Sequence, residues 1–125
     1  MKKIISTANA PKAVGPYSQA VWANDLLFIS GQIPIDPETG VFVSDDVTEQ
    51  TQQVFMNLRA ILQEAGLDFG NIVKATVYLA DMNDFAVMNE VYTSFFEKDF
   101  PARAAFQVVK LPLGAKVEIE AIAMK

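Results

Sequence analysis

The 125-residue sequence contains neither cysteine nor histidine. Without cysteine, the chain cannot form disulfide bonds, use a thiolate nucleophile or build a zinc–thiolate site. Without histidine, it cannot use a Ser–His–Asp triad, a histidine general base or imidazole metal ligands. The two absences exclude the commonest forms of nucleophilic and metal-assisted catalysis.

Positive charge is also scarce, with 10 Lys plus Arg against 15 Asp plus Glu and a formal net charge of −5. A general nucleic-acid surface needs clustered Lys and Arg to neutralise phosphates, so we expect no nucleic-acid partner. No apolar run approaches the roughly 18 residues of a membrane span. The apolar pair Ile4-Ile5 near the start is too short for a signal peptide. The sequence therefore predicts a soluble, cytoplasmic protein with no membrane partner.

The composition is that of one folded domain. Hydrophobic residues make up 51% of the chain and charged residues 20%, whereas a disordered chain has few apolar residues and a high net charge. A length of 125 residues suits a single hydrophobic core. Because no linker, repeat or low-complexity stretch interrupts it, we expect one domain over residues 1–125.

Apolar periodicity and turn residues predict the element order β-β-β-α-β-α-β-β. The predicted elements are strands at 4–5, 17–22 and 26–33, a helix at 47–65, a strand at 73–79, a helix at 84–97, and strands at 103–110 and 117–124. The first helix has the clearest signals, since Asp46 and Glu49 match a capping box and Gly66 suits a left-handed helix end. This order predicts an α+β fold with two helices on one face of a mixed six-stranded sheet.

The last two strands are expected to form a hairpin around the turn at 111–114. In that pairing one face is apolar and lies under the helices; it carries Ala104, Phe106, Val108, Val117, Ile119, Ala121 and Ala123. The opposite face mixes charged and apolar residues; it carries Arg103, Ala105, Gln107, Val109, Glu118, Glu120, Ile122 and Met124. Since two helices cover only one face, the mixed face needs a partner, and a closed homo-oligomer would supply it.

Arg103 is the strongest candidate for ligand binding, because the chain has only one other arginine, Arg59. A guanidinium binds a carboxylate through two parallel hydrogen bonds and therefore suits small anionic molecules. The alternative is a structural ion pair with Glu118 or Glu120. In the hairpin register Arg103 lies roughly 20 Å from Glu118, at about 3.3 Å per residue, so the two could meet only between subunits.

Other candidate residues each have a structural and a functional interpretation. Glu118 and Glu120 could be ordinary polar residues of a strand face, or one of them could hold or deprotonate water beside a partly apolar pocket. Ser30-Gly31 interrupts an apolar strand, which indicates either a β-bulge or the close approach of another group to the backbone. Tyr17 offers a hydroxyl on an aromatic ring, although most such tyrosines only pack.

The sequence contains no phosphate-binding loop, since neither GxGxxG nor GxxxxGK[ST] occurs. The acidic residues Asp45-Asp46, Asp81 and Asp84 are too few and too scattered for a Mg²⁺ or Ca²⁺ cage. They fit helix caps better. We therefore expect neither a metal ion nor a cofactor.

Five separated motifs follow one another along the chain. They are Gly15-Pro16-Tyr17-Ser18-Gln19, Ser30-Gly31-Gln32-Ile33-Pro34, Pro101-Ala102-Arg103, Leu111-Pro112 and Val117-Glu118-Ile119-Glu120-Ala121. Together they resemble the RidA (YjgF-type) family of reactive intermediate imine deaminases, and the resemblance extends over essentially the whole chain. It implies a chorismate-mutase-like fold and a homotrimer around a central barrel of sheets, with three clefts between subunits.

The resemblance also implies an activity and a site. Members of the family hydrolyse 2-imino acids, which arise from enamines such as 2-aminoacrylate and 2-aminocrotonate, to 2-keto acids and ammonia. By resemblance, Arg103 would clamp the substrate carboxylate and Glu118 would hold the attacking water. Ser30 and Gly31 would line the cleft, and Tyr17 would cover it from the neighbouring subunit.

Two further residues enter through the resemblance. Asn89 is an additional candidate for substrate binding. Active members often read Arg-Ser-Cys-Val where this chain reads Arg103-Ala104-Ala105-Phe106, so Ala105 removes a thiol from the expected cleft. Because Arg103 and Glu118 are both present, we expect the activity to be retained.

The sequence thus favours a cofactor-independent 2-iminobutanoate/2-iminopropanoate deaminase. An imine carbon is already electrophilic, so positioning the substrate and a water supplies much of the catalysis. The alternative is a non-catalytic protein that binds 2-keto acids or similar carboxylates and acts through partner proteins. A ribonuclease or translation inhibitor, another role attached to this family, is opposed by the negative charge and by the lack of a basic aromatic stripe.

Overall fold

The computed structural model describes residues 2–125, in which short 3-10 turns connect the strands and α-helices. The elements are β1 (Lys3–Ile5), β2 (Ala20–Ala23), β3 (Leu26–Gln32), α1 (Val47–Glu64), β4 (Ile72–Leu79), α2 (Phe85–Ser94), β5 (Ala102–Gln107) and β6 (Val117–Met124). Their order confirms the predicted arrangement of six strands and two helices. No helix within residues 2–125 is long and apolar enough to cross a membrane.

Helix α1 forms where its sequence signals predict, but only the Asp46 half of the expected capping box is present, because the Asp46 N–H donates to Ser44 Oγ and not to Glu49. The Asp46 carboxylate accepts a hydrogen bond from the backbone N–H of Glu49 (2.9 Å), which satisfies a donor left free in the first turn. After the last turn, Gly66 adopts a φ of 78°, a conformation that glycine allows without steric cost. The apolar stripe of the helix is fully buried against the sheet; it consists of Val54, Phe55, Leu58, Ile61 and Leu62.

The sheet has the strand order β1-β2-β3-β6-β4-β5, with β6 in the interior and β5 at an edge. The prediction that the last two strands form a hairpin is wrong. β5 pairs parallel with β4, whereas β6 pairs antiparallel with β4 on its other side. The reason is helix α2, which lies between β4 and β5 in the chain and returns it to the starting end of β4. Residues 108–116 then pass across the far end of β4.

This topology also corrects one of the predicted strand faces. Arg103 pairs with Ala75 and Ala105 pairs with Val77, and both partners are buried on the helix side of the sheet. Arg103, Ala105 and Gln107 therefore face the helices, while Ala104 and Phe106 lie on the open face, the reverse of the prediction. The faces of β6 are as predicted, with Val117, Ile119, Ala121 and Ala123 buried. The prediction failed on β5 because the register with its parallel neighbour β4, and not a hairpin turn, decides which of its side chains face the helices.

The helices cover one face of the sheet and leave the other face open. That open face carries large apolar side chains that remain substantially exposed, among them Ile4, Phe28, Phe106 and Met124. Phe28 is 44% exposed and Phe106 is 45% exposed. A surface of this kind is typical of an interface. The homo-oligomer expected from the sequence would bury it.

Candidate active site

Glu118 lies directly against Gly31. The pairing of β3 with β6 shifts register between Ile29 and Gln32, so Ser30 and Gly31 form a β-bulge beside β6. A Cβ atom built on Gly31 would lie 2.9 Å from Cδ and 3.2 Å from Cγ of Glu118, and would collide with its carboxylate oxygen. Both interpretations of this glycine from the sequence therefore hold, because the bulge is what permits the close approach.

The Glu118 carboxylate is only partly exposed to water. Burial, and secondarily the negative charge of Glu120, raises the pKa of Glu118 above the ordinary glutamate value. Glu120 itself accepts a hydrogen bond from the Tyr78 hydroxyl (2.8 Å), and burial together with this bond raises the pKa of Tyr78 to about 12. Tyr78 thus remains a neutral donor that ties up Glu120. Glu118, with its raised pKa, is a stronger base than an ordinary glutamate.

The segment before Gly31 is held by hydrogen bonds to the backbone. The Ser30 hydroxyl donates to the carbonyl of Ser18 (2.6 Å), and the Ser30 N–H donates to the carbonyl of Gln19 (2.9 Å). The buried Gln19 side chain donates to the Pro11 carbonyl (2.9 Å). Strand β2 begins at Ala20, later than predicted, so Tyr17 lies in the turn before it and is 50% exposed.

One cavity of about 650 Å³ unites four of the residues expected at the site, namely Tyr17, Ser30, Gly31 and Glu118. Its remaining wall is largely apolar, with side chains such as Val14, Ile33, Ile35 and Leu113. Tyr17, which by resemblance would come from a neighbouring subunit, here lines the cavity of its own chain. We call this space the Glu118 cavity.

Arg103 lies in a different place. Its guanidinium is on the helix side of the sheet, in a cavity of about 390 Å³ that is also lined by Asn89, Tyr92 and Phe100; we call it the Arg103 cavity. Arg103 Nη1 donates a hydrogen bond to Asn89 Oδ1 (2.6 Å). The prediction that Arg103 shares a strand face with Glu118 is wrong. The intrachain ion pair considered as its alternative is not formed either, since the hydrogen bond goes to Asn89.

Arg103 and Glu118 are too far apart in one chain to act on one small molecule. Arg103 pairs with Ala75 and Glu118 pairs with Tyr78, so two strand spacings and three residues separate them. This amounts to roughly 14 Å between their Cα atoms. The side chains also point to opposite faces of the sheet. The expectation from the hairpin that the two groups do not meet within one chain therefore holds, but for another geometric reason.

The sequence did not connect Phe85 and Tyr92 with the site. The guanidinium of Arg103 lies 4.7 Å from the ring centroid of Tyr92 and 5.5 Å from that of Phe85. The available signal was their spacing from Asn89 on helix α2, which puts all three on one face. Ala105 packs against the hydrophobic core and lines neither cavity.

The described residues contain no group of three or more acidic side chains that could hold a metal ion. The polar groups available in the two cavities are hydroxyls, amides, one lysine, one guanidinium and a single carboxylate, that of Glu118. Such groups can bind a small anion, hold a water and move a proton.

The fold and the two cavities define a small α+β protein that presents a guanidinium at a sheet edge and a partly desolvated carboxylate on the open sheet face. The chain belongs to the family described as Endoribonuclease L-PSP, which it matches over residues 7–125. The RidA resemblance is thereby confirmed, together with the fold that it implied.

Relatives of this chain cover it completely. It is 56% identical to a RutC family protein of Pyrococcus horikoshii, over 100% of this chain and 99% of that protein. It is 54% identical to the bovine protein named 2-iminobutanoate/2-iminopropanoate deaminase, over 100% of this chain and 91% of the relative.

Solved structures show the same fold. A Rid family protein of Yersinia pestis superposes with a TM-score of 0.98 at 46% identity, covering 100% of both chains. The Escherichia coli protein TdcF, solved with bound serine, superposes with a TM-score of 0.94 at 47% identity, covering 98% of each chain.

Proposed function

We propose that the protein hydrolyses 2-imino acids such as 2-iminobutanoate and 2-iminopropanoate to 2-keto acids and ammonia, without a cofactor. The observation that carries the proposal is the Glu118 carboxylate seated on Gly31 in a cavity with a largely apolar wall. Mammalian relatives that carry this activity in their names are 50–54% identical to the chain over all 125 residues.

In the proposed reaction Glu118 acts as general base and then as general acid. It takes a proton from a bound water as the water oxygen adds to the carbon of the protonated imine, C=NH2+, which gives a neutral tetrahedral amino alcohol. The carboxylic acid returns the proton to the amine, the C–N bond breaks with its electron pair leaving on nitrogen, and the Glu118 carboxylate takes the hydroxyl proton as C=O forms. Transfer of that proton to the departing ammonia restores the carboxylate, so one water is consumed and one ammonium ion is released. The raised pKa of Glu118 suits both transfers.

Arg103 is proposed to hold the substrate carboxylate, because a guanidinium forms the forked pair of hydrogen bonds that this group accepts. Since Arg103 and Glu118 occupy separate cavities of one chain, a site with both requires Arg103 of one subunit and Glu118 of another. The apolar open face supports such an assembly, and the RidA resemblance implies a homotrimer. The substrate then lies between subunits, lined by Ser30 and Gly31 and covered by Tyr17.

A non-catalytic carboxylate-binding protein is the second candidate, and the serine bound in the TdcF structure favours it, since serine is a small carboxylate. Both functions need Arg103, but only hydrolysis needs the base Glu118. A ribonuclease, as the family description suggests, would have to bind RNA with a net charge of −5, so nucleic acid is not the expected partner. The cytoplasmic location stays a prediction from the sequence.

The test of hydrolysis couples the purified protein to a pyridoxal-phosphate-dependent dehydratase supplied with serine or threonine. We expect 2-keto acid to appear faster than the uncatalysed background, and Glu118→Gln to remove the acceleration. A rate equal to the background, with keto acid still bound, would establish the binding protein instead. Cleavage of RNA that Glu118→Gln does not abolish would favour the ribonuclease.

Mixed oligomers test whether the site is shared between subunits. Arg103→Lys and Glu118→Gln chains, each inactive alone, are co-expressed with different tags and purified together. If each site takes its arginine and its glutamate from different chains, one of the three sites in each trimer that carries both tags regains both groups. Activity in Arg103→Lys oligomers alone would overturn the clamp and would favour Lys12, the cation that lines the Glu118 cavity.

A further inference from the structure

We propose that three residues of helix α2 — Phe85, Asn89 and Tyr92, here called the α2 cradle — are positioning residues that fix the Arg103 guanidinium in one orientation for a substrate carboxylate. The inference rests on the proposed function, in which Arg103 is the clamp. It changes the expected role of Asn89, which acts through Arg103 and does not touch the substrate. It also gives Phe85 and Tyr92 a role that the sequence did not suggest.

The cradle follows from the helical repeat and from the edge position of β5. Residues spaced by four and by seven lie on one side of an α-helix, so Phe85, Asn89 and Tyr92 face the same neighbour. That neighbour is Arg103, whose side chain leaves β5 on the helix side. The contacts are a hydrogen bond of 2.6 Å to Asn89 and ring distances of 4.7 Å to Tyr92 and 5.5 Å to Phe85.

These contacts restrict different motions of the guanidinium. The rings attract it through their π systems and hold it over the helix. The amide oxygen of Asn89 takes one hydrogen of Nη1 and so fixes rotation within the guanidinium plane. An arginine has five N–H donors in a planar fork, so the edge formed by Nε and Nη2 remains for a carboxylate. Fixing a long side chain in advance lowers the entropy that ligand binding must otherwise remove.

Asn89 suits this role by its charge as well as its position. An aspartate would neutralise Arg103 and repel a substrate carboxylate, whereas an amide oxygen accepts the hydrogen bond and leaves the full positive charge. Tyr92 is 3% exposed, and its hydroxyl has no hydrogen-bond partner among the described residues. Since the hydroxyl makes no hydrogen bond to Arg103, we assign the cradle contact to the Tyr92 ring.

The other arginine provides a matched control. Arg59 also lies over two rings, 5.1 Å from the centroid of Phe69 and 5.6 Å from that of Phe95. Its side chain contacts the thioether sulfur of Met56 at 3.7 Å, which is a weak acceptor. Arg59 lines neither the Arg103 cavity nor the Glu118 cavity. Arg59→Lys should therefore leave catalysis and ligand binding unchanged.

The test measures pyruvate binding by calorimetry and the kinetics of imine hydrolysis. We expect Asn89→Ala to weaken pyruvate binding and raise KM about tenfold, the value of a hydrogen bond to a charged group, while kcat changes less than about twofold. Tyr92→Leu should raise KM about fivefold through loss of the cation–π contact. Tyr92→Phe keeps the aromatic ring, so its KM should stay close to that of the wild type.

A double-mutant cycle separates positioning from direct contact. If Asn89 acts only through Arg103, Asn89→Ala adds no further loss to an Arg103→Lys chain. Additive losses would show that Asn89 binds the ligand itself and would overturn the inference, as would an Asn89→Ala protein with wild-type KM. Pyruvate binding that is insensitive to Arg103→Lys would instead overturn the role of Arg103 as the clamp, on which this inference rests, whereas loss of the proposed function would show as a hydrolysis rate equal to the background. Asn89 is only half-buried, so its variants decide the matter even if Tyr92→Leu does not fold.

Discussion

Replacement of Gly31 by alanine is the sharpest single test of the Glu118 site. The new methyl group would lie 2.9 Å from Cδ and 3.2 Å from Cγ of Glu118 and would overlap its carboxylate oxygen. Gly31 is in a strand and does not have a positive φ, so the backbone itself accepts alanine. The entire perturbation therefore falls on the side chain of Glu118, which must rotate away from the bulge.

The expected effects on activity and on stability differ strongly. Moving a general base out of reach of the reacting water should lower kcat about 100-fold or more. An off-rotamer glutamate costs about 1 kcal/mol in the free energy of unfolding, whereas alanine in place of glycine recovers about 0.4–1 kcal/mol by restricting the unfolded chain. The two nearly cancel. We expect the melting temperature to shift by less than about 4 °C.

The assay is the coupled release of keto acid, with thermal melting followed by circular dichroism on the same samples. Gly70→Ala is the matched control, because a Cβ atom there meets nothing within 4 Å and no positive φ opposes it. In a Gly31→Ala background, Glu118→Gln should cause no further loss, since the carboxylate is already displaced. Full activity in Gly31→Ala would refute the assignment of Glu118 as the group that holds the water.

Three other outcomes depend on groups near Gly31. In the wild-type protein the raised pKa of Glu118 means that stability is lost as the pH rises through that pKa and the side chain ionises. Glu118→Gln removes this loss, so its melting temperature relative to that of the wild type should be higher at neutral pH than at acid pH. Melting temperatures that depend on pH in the same way in both proteins would contradict this. Glu120→Gln should lower the pKa of Glu118 and move the acid limb of the rate profile to lower pH; an unmoved limb would exclude the coupling. Ser30→Ala should cost about 1 kcal/mol in urea unfolding, since the Ser18 carbonyl loses its hydrogen bond; an unchanged midpoint would show that this bond contributes nothing.

Local signals in the sequence were sufficient for the elements and for most of their faces. The capping residue Asp46 and the apolar stripe of α1 specify that helix without help from the rest of the chain. The alternation in β6 assigns its buried face correctly, because a strand between two partners keeps a period of two. The local signals do not show which strands lie next to each other in the sheet. Two antiparallel strands joined by a turn with proline and glycine look like a hairpin even when a third strand lies between them.

The same gap explains which parts of the site could be predicted. Glu118 was placed on the correct face of the sheet. Gly31 indicated the close approach of another group, but the spacing of residues in the sequence could not show that this group is Glu118. Arg103 was predicted from its rarity and its chemistry, and it was placed on the wrong face because the register with β4 decides which β5 side chains face the helices. The rings of Phe85 and Tyr92 were missed because aromatic residues at helical spacing usually belong to a core, and these two partly do.

The separation of the two charged groups has a consequence for assembly. Hydrolysis of an imino acid by this chemistry needs a cation for the carboxylate and a base for the water, and one sheet holds them on opposite faces. Under the proposed mechanism a lone chain would therefore have two incomplete sites. In a closed ring each copy would offer its Arg103 edge to one neighbour and its Glu118 face to the other, so every interface would gain one complete site and no group would be left over. An open chain of copies would always leave one arginine and one glutamate unmatched at its ends, so closure couples full catalytic occupancy to burial of the apolar open face.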